Sequence, residues 1–227
     1  MHAVWALVPV KSPGQAKSRL APALDPAERA QLALHMARDV LGALRGCGRL
    51  AGIALLTADA AGAALAKEFG CLDLPEDPAL GLCANLEAAA ARLAADGASA
   101  VVIVPTDLPT LTAAEVGTLL DRIGPGVTVA PASMDGGTNA LALAPPRAAP
   151  CLFGPDSARR HLEAARRLGV SAQRAELAGF ARDVDSVDDV LWLCGQPAGG
   201  NARGFLEHSG ICARLRATTA ADRVTGT

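Results

Sequence analysis

The chain opens with VWALVPV at 4–10, an unbroken apolar run of strand length, as found in strands buried on both faces of a mainly parallel sheet. A polar stretch containing Gly and Lys follows. Asp25 then stands where a helix N-cap belongs, with Pro26 at the first helical position and Glu28 placed to reach back, which predicts a helix to about Leu44. The rhythm repeats through IALLT (53–57), a helix over about 60–69, a short LDLP segment (72–75), a helix from about 84 to 95, and AVVIVPTD (100–107). Strands alternating with helices predict a Rossmann-like parallel sheet with helices on both faces. After a helix near 112–122 the pattern changes, because VTVAPA (127–132) and NALALAP (139–145) are joined only by SMDGGT, which predicts a local antiparallel or mixed pair. A helix over 156–169, a strand near 174–178 and a helix capped by Ser186 and running through Cys194 complete a single α/β domain over residues 1–195. Residues 196–227 are expected to form a C-terminal extension: GQPAGGNARG has loop composition, a short helix fits after it, and the last ten or so residues are expected to be disordered or loosely packed.

Composition narrows the function classes. The 227 residues are 51% hydrophobic but only 3% aromatic, so the core is built from Ala, Leu and Val, and few stacking platforms exist for nucleic-acid bases. Lys and Arg total 21 against 23 Asp and Glu, a near balance that argues against a nucleic-acid surface and leaves room for a local anion site. No apolar run approaches the roughly 20 residues needed to span a bilayer, so a membrane role is not expected. The six cysteines, at 47, 71, 83, 151, 194 and 212, form no CxxC pair and no signal-like segment precedes the first strand; they are expected to be reduced thiols, mostly in the core of a cytoplasmic protein.

Ligands of open α/β sheets bind beyond the carboxyl ends of strands, so the loops there carry the candidate chemistry. After the first strand, KSPGQAKSRLAP supplies Lys11, Lys17 and Arg19 as cations, and Gly14 permits close backbone approach to phosphate oxygens, although the GK[ST] ending of a Walker loop is absent. In PTDLPTL (105–111), Asp107 closes the predicted strand where a carboxylate can hold Mg²⁺. In RDVDSVDD (182–189), Asp183 and Asp185 are two apart and share a face on an extended segment, where two carboxylates repel unless a cation lies between them. Asp188 and Asp189 fall in the first turn of the helix capped by Ser186 and are explained by its dipole. In DGGTNA (135–140), Gly136 and Gly137 let a ligand approach the backbone while Thr138 and Asn139 offer neutral hydrogen bonds; Ser157 begins a helix, where anions bind. His161, one turn on, is expected at the surface.

LVPVKSPGQAKSRLAP, PTDLPTL, DGGTNAL, FGPDSARRHL (153–162) and DVDS, in this order, resemble the guanylyltransferases that activate a phosphorylated three-carbon acid in biosynthesis of the deazaflavin coenzyme F(420). The resemblance covers about residues 4–192. It implies a single nucleotidyltransferase domain that uses GTP with Mg²⁺ on Asp107, Asp183 and Asp185. It further implies that Thr138, Asn139, Gly154 and Ser157 hold the acid, that Lys11, Lys17, Arg19 and Asn85 serve the nucleotide, and that Lys17 and Arg19 also act in catalysis. One departure stands out: where the family often reads GLN, this chain has GLCANLEAA (81–89), placing Cys83 in the acid pocket in place of an amide. The acids implied are 3-phospho-D-glycerate or phosphoenolpyruvate, favoured by that loss of polarity, and 2-phospho-L-lactate. Two other readings compete: a nucleotidyltransferase acting on a sugar phosphate or molybdopterin, whose usual LAGGxSxRxG opening is missing, and a non-catalytic nucleotide-binding module, against which all three carboxylates speak. A dinucleotide oxidoreductase is disfavoured because no GxGxxG follows the first strand.

Overall fold

A computed structural model describes residues 3–12, 17–197 and 199–225, with side chains described through Thr218. The elements run β1 (Val4–Val10), α1 (Pro26–Gly46), β2 (Gly52–Thr57), α2 (Ala60–Phe69), β3 (Leu72–Pro75), α3 (Leu82–Ala95), β4 (Ala100–Ile103), α4 (Ala113–Asp121), β5 (Gly126–Pro131), β6 (Thr138–Ala144), α5 (Ser157–Arg167), β7 (Ala172–Arg174), α6 (Ala178–Ala181), α7 (Val187–Gly195), α8 (Asn201–His208) and α9 (Ile211–Thr225). They build one seven-stranded sheet in the order β3-β2-β1-β4-β6-β5-β7. Strand β6 runs antiparallel to both of its neighbours, and the other adjacent pairs are parallel. The predicted mixed pair is therefore the β5–β6 hairpin inserted into an otherwise parallel sheet.

The alternation of side chains along each strand supplies two cores. Val4, Ala6, Val8 and Val10 of β1 face a layer with Val40 and Leu44 of α1 and Val116 of α4, while Leu7 faces Leu86 and Leu93 of α3 and Leu162 of α5. Local signals agree with this packing. Helix α1 has the full capping box of Asp25 and Glu28, and Ser186 with Asp189 forms the same motif on α7.

A third cluster joins the end of the chain to the domain. Leu32 and Met36 of α1 pack with Val190 and Leu193 of α7, Leu206 of α8 and Ile211 and Leu215 of α9. The Asp39 carboxylate accepts from the Asn201 and Ala202 backbone N–H groups, so α1 caps α8 from across the structure. The Asn201–Arg203 end of the stretch expected to be loop is thus the first turn of a packed helix, because a distant carboxylate supplies the cap that the local sequence lacks. Of the last ten or so residues, expected to be disordered or loosely packed, the backbone is helical through Thr225, and residues 226 and 227 lie outside the described residues.

Three further expectations are corrected. Cys194 and Cys212 form a disulfide across α7 and α9, 18 residues apart, so the reading of all six cysteines as reduced fails for this pair, whose partnership follows from tertiary packing and has no local spacing signal. Cys47, Cys71, Cys83 and Cys151 are free. The last strand is the short Ala172–Arg174, which overlaps the predicted 174–178 at Arg174 alone; Ala175 enters the core and α6 follows closely. Asp107 lies past the end of β4, which closes at Ile103. Among the described residues no helix is long and apolar enough to cross a membrane.

Candidate active site

A cleft of about 1050 Å³ opens at the carboxyl ends of β1 and β4 and is lined by Lys11, Lys17, Arg19, Cys83, Asp107, Thr138, Asn139, Gly154, Ser157, Asp183 and Asp185. Eleven of the twelve residues that sequence reasoning assigned to a site thus meet in one cavity. Asn85 does not line it. Its carbonyl accepts from Asp77 N–H at 2.8 Å, and its amide nitrogen donates to the carbonyls of Asp77 and Leu80 at 3.0 and 3.3 Å. This buried amide is spent on shaping the 77–81 turn, which corrects its assignment as a nucleotide ligand.

One end of the cleft is charged. One carboxylate oxygen each of Asp107, Asp183 and Asp185 lies within 4.8 Å of the others. Backbone pairing makes the cluster: Val184 N–H donates to the Asp107 carbonyl at 3.0 Å, and Val184 itself is fully buried, so Asp183 and Asp185 on either side turn toward the cleft. Lys17 reaches into the cluster, donating to Asp107 at 2.9 Å and Asp185 at 2.6 Å, with its side chain 8% exposed. Burial would lower the Lys17 pKa, but the charges of Asp107 and Asp185 overcome it and raise the value, so the ammonium stays charged. Burial, with the neighbouring charge of Asp107, pushes the Asp183 carboxyl up; Asp185 is also buried, yet Lys17 holds it below the usual carboxylate range. Lys17, expected as one of the cations of the first loop, is held by both carboxylates at the base of the site. Arg19 and Lys11 are exposed at the rim and lower the Asp185 pKa from there. Gly14, the other feature of that loop, lies among residues 13–16, outside the described residues.

Three carboxylates on two facing segments suit a hard divalent cation, which takes oxygen ligands. The structure carries an independent sign of the same thing. Asp107 Oδ1 is buried with no hydrogen-bond partner, and Asp183 keeps a raised pKa despite hydrogen bonds that lower it. A buried, unsatisfied carboxylate oxygen is costly, and a metal ion at this point would satisfy it.

The other end is neutral. Asp135 Oδ1 accepts from Gly137 N–H at 2.8 Å, and a Cβ on Gly137 would meet that same oxygen at 2.8 Å, so a side chain there would displace the Asp135 carboxylate from this turn. Gly136 adopts φ 71° and its carbonyl accepts from Ala158 N–H at 3.1 Å, joining this turn to the start of α5. Ser157 Oγ then lies 2.9 Å from Thr138 Oγ1, and Thr138 Oγ1 lies 3.1 Å from His161 Nδ1. His161 Nε2 accepts from Leu152 N–H at 2.8 Å. His161 is 0% exposed, which corrects the expected surface position: four residues after Ser157, it shares the inward face of α5. Burial and the nearby Arg160 push its pKa down to about 4, against a backbone hydrogen bond with Ser157 that raises it.

Asn139 lines the cleft, but its amide nitrogen donates to the Phe180 carbonyl at 2.8 Å and faces Asp183 Oδ1 at 3.4 Å. It therefore orients the Asp183 segment, and the signal for this partnership lies 44 residues away in the chain. Among the described residues the non-glycine positions at positive φ are Lys17 and Asp156, one in the charged cluster and one just before Ser157. Such backbone costs on the order of 1 kcal/mol or more each and concentrates where geometry serves function.

The comparisons with known proteins agree with this geometry. Residues 4–226 match the family model described as "Guanylyl transferase CofC like". The chain is 42% identical over 192 residues to the phosphoenolpyruvate guanylyltransferase of Rubrobacter xylanophilus, covering 84% of this chain and 93% of that protein. It is 40% identical over 211 residues to the enzyme of the same name from Roseiflexus castenholzii, covering 91% and 97%. In structure it is similar to a nucleotidyl transferase from Methanothermobacter thermautotroptrophicus, with a TM-score of 0.66 at 17% identity over 92% of this chain and 100% of that one, a likeness of fold. A nucleotidyltransferase fold, five ordered motifs converging on one cleft and a family match over nearly the whole chain place this protein in the CofC-like guanylyl transferase family.

Proposed function

We propose that the protein transfers GMP from GTP to the phosphate of a small three-carbon phospho-acid and releases pyrophosphate, with phosphoenolpyruvate the favoured acceptor. The observation that carries this reading is the two-ended cleft, in which a carboxylate cluster crossed by Lys17 and a buried hydroxyl pair at a helix N-terminus line the same cavity. The names of the relatives at 42% and 40% identity support phosphoenolpyruvate over 3-phospho-D-glycerate and 2-phospho-L-lactate. Cys83, from which the sequence favours a hydroxyl-bearing acid as well, lines the cleft as a half-buried free thiol, so 3-phospho-D-glycerate remains the competitor to test.

In this reading an oxygen of the acid's phosphate attacks the α-phosphorus of GTP, the bond to the β-phosphate oxygen breaks, and pyrophosphate leaves with the electron pair. A phosphate monoester is already anionic near neutral pH, so no side chain has to remove a proton; the protein aligns two anions and neutralises charge. Lys17 holds a fixed positive charge beside Asp107 and Asp185 at the point where the phosphates meet. Arg19 and Lys11 at the rim take the charge that builds on the departing pyrophosphate. Asp107, Asp183 and Asp185 would hold Mg²⁺, which when bound supplies electrostatic stabilisation to phosphoryl oxygens. The Thr138–Ser157 hydroxyl pair donates to the acid, and Gly154, at φ 127°, lets the backbone there approach it.

The test is purified protein with GTP, Mg²⁺ and each of the three acids, alone and in equal-concentration competition, followed by pyrophosphate release and product mass. Phosphoenolpyruvate is expected to be consumed fastest, giving a product of its mass plus a GMP residue. Clear preference for another acid would move the acceptor assignment, and no acid-dependent pyrophosphate would defeat the reading altogether.

A further inference from the structure

We propose that His161 is a positioning residue: held as the neutral tautomer with its proton on Nδ1, it fixes the Thr138–Ser157 hydroxyl pair as a hydrogen-bond donor toward the cleft. A backbone amide can only donate. The Leu152 N–H, 2.8 Å from His161 Nε2, therefore requires a lone pair on that nitrogen. A neutral imidazole then carries its proton on Nδ1, which lies 3.1 Å from Thr138 Oγ1 and also faces the Ser157 backbone, so Nδ1 cannot accept from Thr138 and Thr138 is an acceptor there. Thr138 and Ser157 have two hydroxyl protons between them and are 2.9 Å apart. One proton bridges the pair and the other is left to point into the cleft that both residues line. The opposite tautomer would reverse this polarity, with Thr138 donating to the ring, Ser157 donating to Thr138 and no donor facing the ligand. An acceptor rich in anionic oxygens needs the first arrangement.

The surroundings keep the ring in this state. It is 0% exposed, its edge meets the Phe153 ring at 5.1 Å and 71°, and Phe153 itself lines the cleft. Burial and the charge of Arg160 push its pKa down to about 4, which leaves the imidazole neutral near pH 7. Protonation would put an N–H against the Leu152 N–H, with no acceptor there. Nothing in this arrangement requires the ring to touch substrate; it acts through Thr138.

This inference rests on the assignment of Thr138 and Ser157 to the acid, and the experiment separates the two. The ring tautomer of His161 is read directly on wild-type full-length protein by long-range ¹H–¹⁵N correlation at pH 7, with the signal assigned by its absence in His161→Phe. A proton on Nδ1 is the expected result; a proton on Nε2, or an imidazolium, overturns the inference whatever the kinetics. In parallel, KM for phosphoenolpyruvate and for GTP are measured in His161→Phe, which keeps the ring volume but has no donor, and in His161→Asn, whose amide nitrogen restores one to Thr138. We expect about a tenfold rise in the acid's KM for the Phe variant, GTP's KM within about twofold, and the Asn variant within about threefold of wild type. Equal loss on both substrates, or an unchanged acid KM in His161→Phe where Thr138→Val raises it, overturns the positioning role while leaving the acid site in place. If Thr138→Val leaves the acid's KM unchanged, the site assignment fails instead, and with it the proposed role of His161.

Discussion

The two ends of the cleft solve opposite problems. At the carboxylate end three negative side chains converge, one buried oxygen has no partner, and Lys17 supplies a positive charge between two of the three. At the hydroxyl end Ser157, Thr138, His161 and the Leu152 amide form one chain of hydrogen bonds between neutral groups. The first end leaves a buried carboxylate oxygen unsatisfied, where a cation could bind. The second is complete in the free protein and exposes a single donor. In the proposed reading the first end handles charge and the second selects the acceptor, and substitutions at the two ends should then fail in different ways.

The largest effect is expected at the charged end. Asp183→Asn should lower turnover on the order of a thousandfold, since a metal ligand contributes several kcal/mol of charge stabilisation. It should not lower the metal-free stability. The Asp183 pKa is raised in the folded state, so its favourable contribution exists below its unfolded value and is lost as pH rises through the folded one, and at neutral pH the ionised group is a cost. Thermal unfolding in chelator at pH 7, beside steady-state turnover, checks both halves; a large drop in Tm would show that the cluster is a structural ion network.

Next comes a pH effect at the neutral end. The His161 pKa drops from 6.5 to about 4 on folding, so the unfolded chain binds the proton first. The associated stability is complete above about pH 6.5 and is lost as pH falls toward 4, by about 3 kcal/mol in all. Urea unfolding at pH 7 and at pH 4.5 should show this loss in wild type and a smaller one in His161→Phe. Parallel pH dependence in the two proteins would contradict the buried neutral ring.

Thr138→Val should reduce kcat/KM for the acid by roughly ten- to a hundredfold, the cost of a lost hydrogen bond to a charged group, about 1.5–3 kcal/mol. GTP affinity should stay close to wild type. The smallest effect belongs to the exposed rim: Arg19→Ala should raise the KM for GTP a few fold, as a solvent-screened contact does, about 1 kcal/mol or less, with the acid's KM unchanged. Substrate titrations of each variant decide whether the two ends are separable, and a Thr138→Val enzyme impaired equally toward both substrates would collapse the distinction.

Much of this organisation is visible in the chain. The apolar runs at β1 and β4 and the capping boxes at Asp25 and Ser186 mark elements whose causes are local, and those elements appear where expected. The pair Asp183 and Asp185 was legible because the two-residue spacing and the buried Val184 between them are features of one short extended segment. What escaped depends on partners far away in sequence. Asn85 resembles a cleft residue until the Asp77 turn folds onto it, and Asn139 faces Asp183 only after the sheet is assembled. His161 was one helical turn from Ser157, and that i, i+4 spacing was the available signal for its burial. Cys194 and Cys212 carry no motif because their pairing follows from how α9 returns onto α7.

The central claim, that one cleft joins a nucleotide to a small acid through two independent ends, is tested most directly by pyrophosphate release from GTP in the presence of Mg²⁺, with and without phosphoenolpyruvate, in wild type and in Thr138→Val. The account predicts release that depends on the acid in wild type, with the acid requirement shifted to roughly ten- to a hundredfold higher concentration in the variant at unchanged GTP dependence. Pyrophosphate release at the same rate without acid, or a variant whose acid dependence matches wild type, would contradict it.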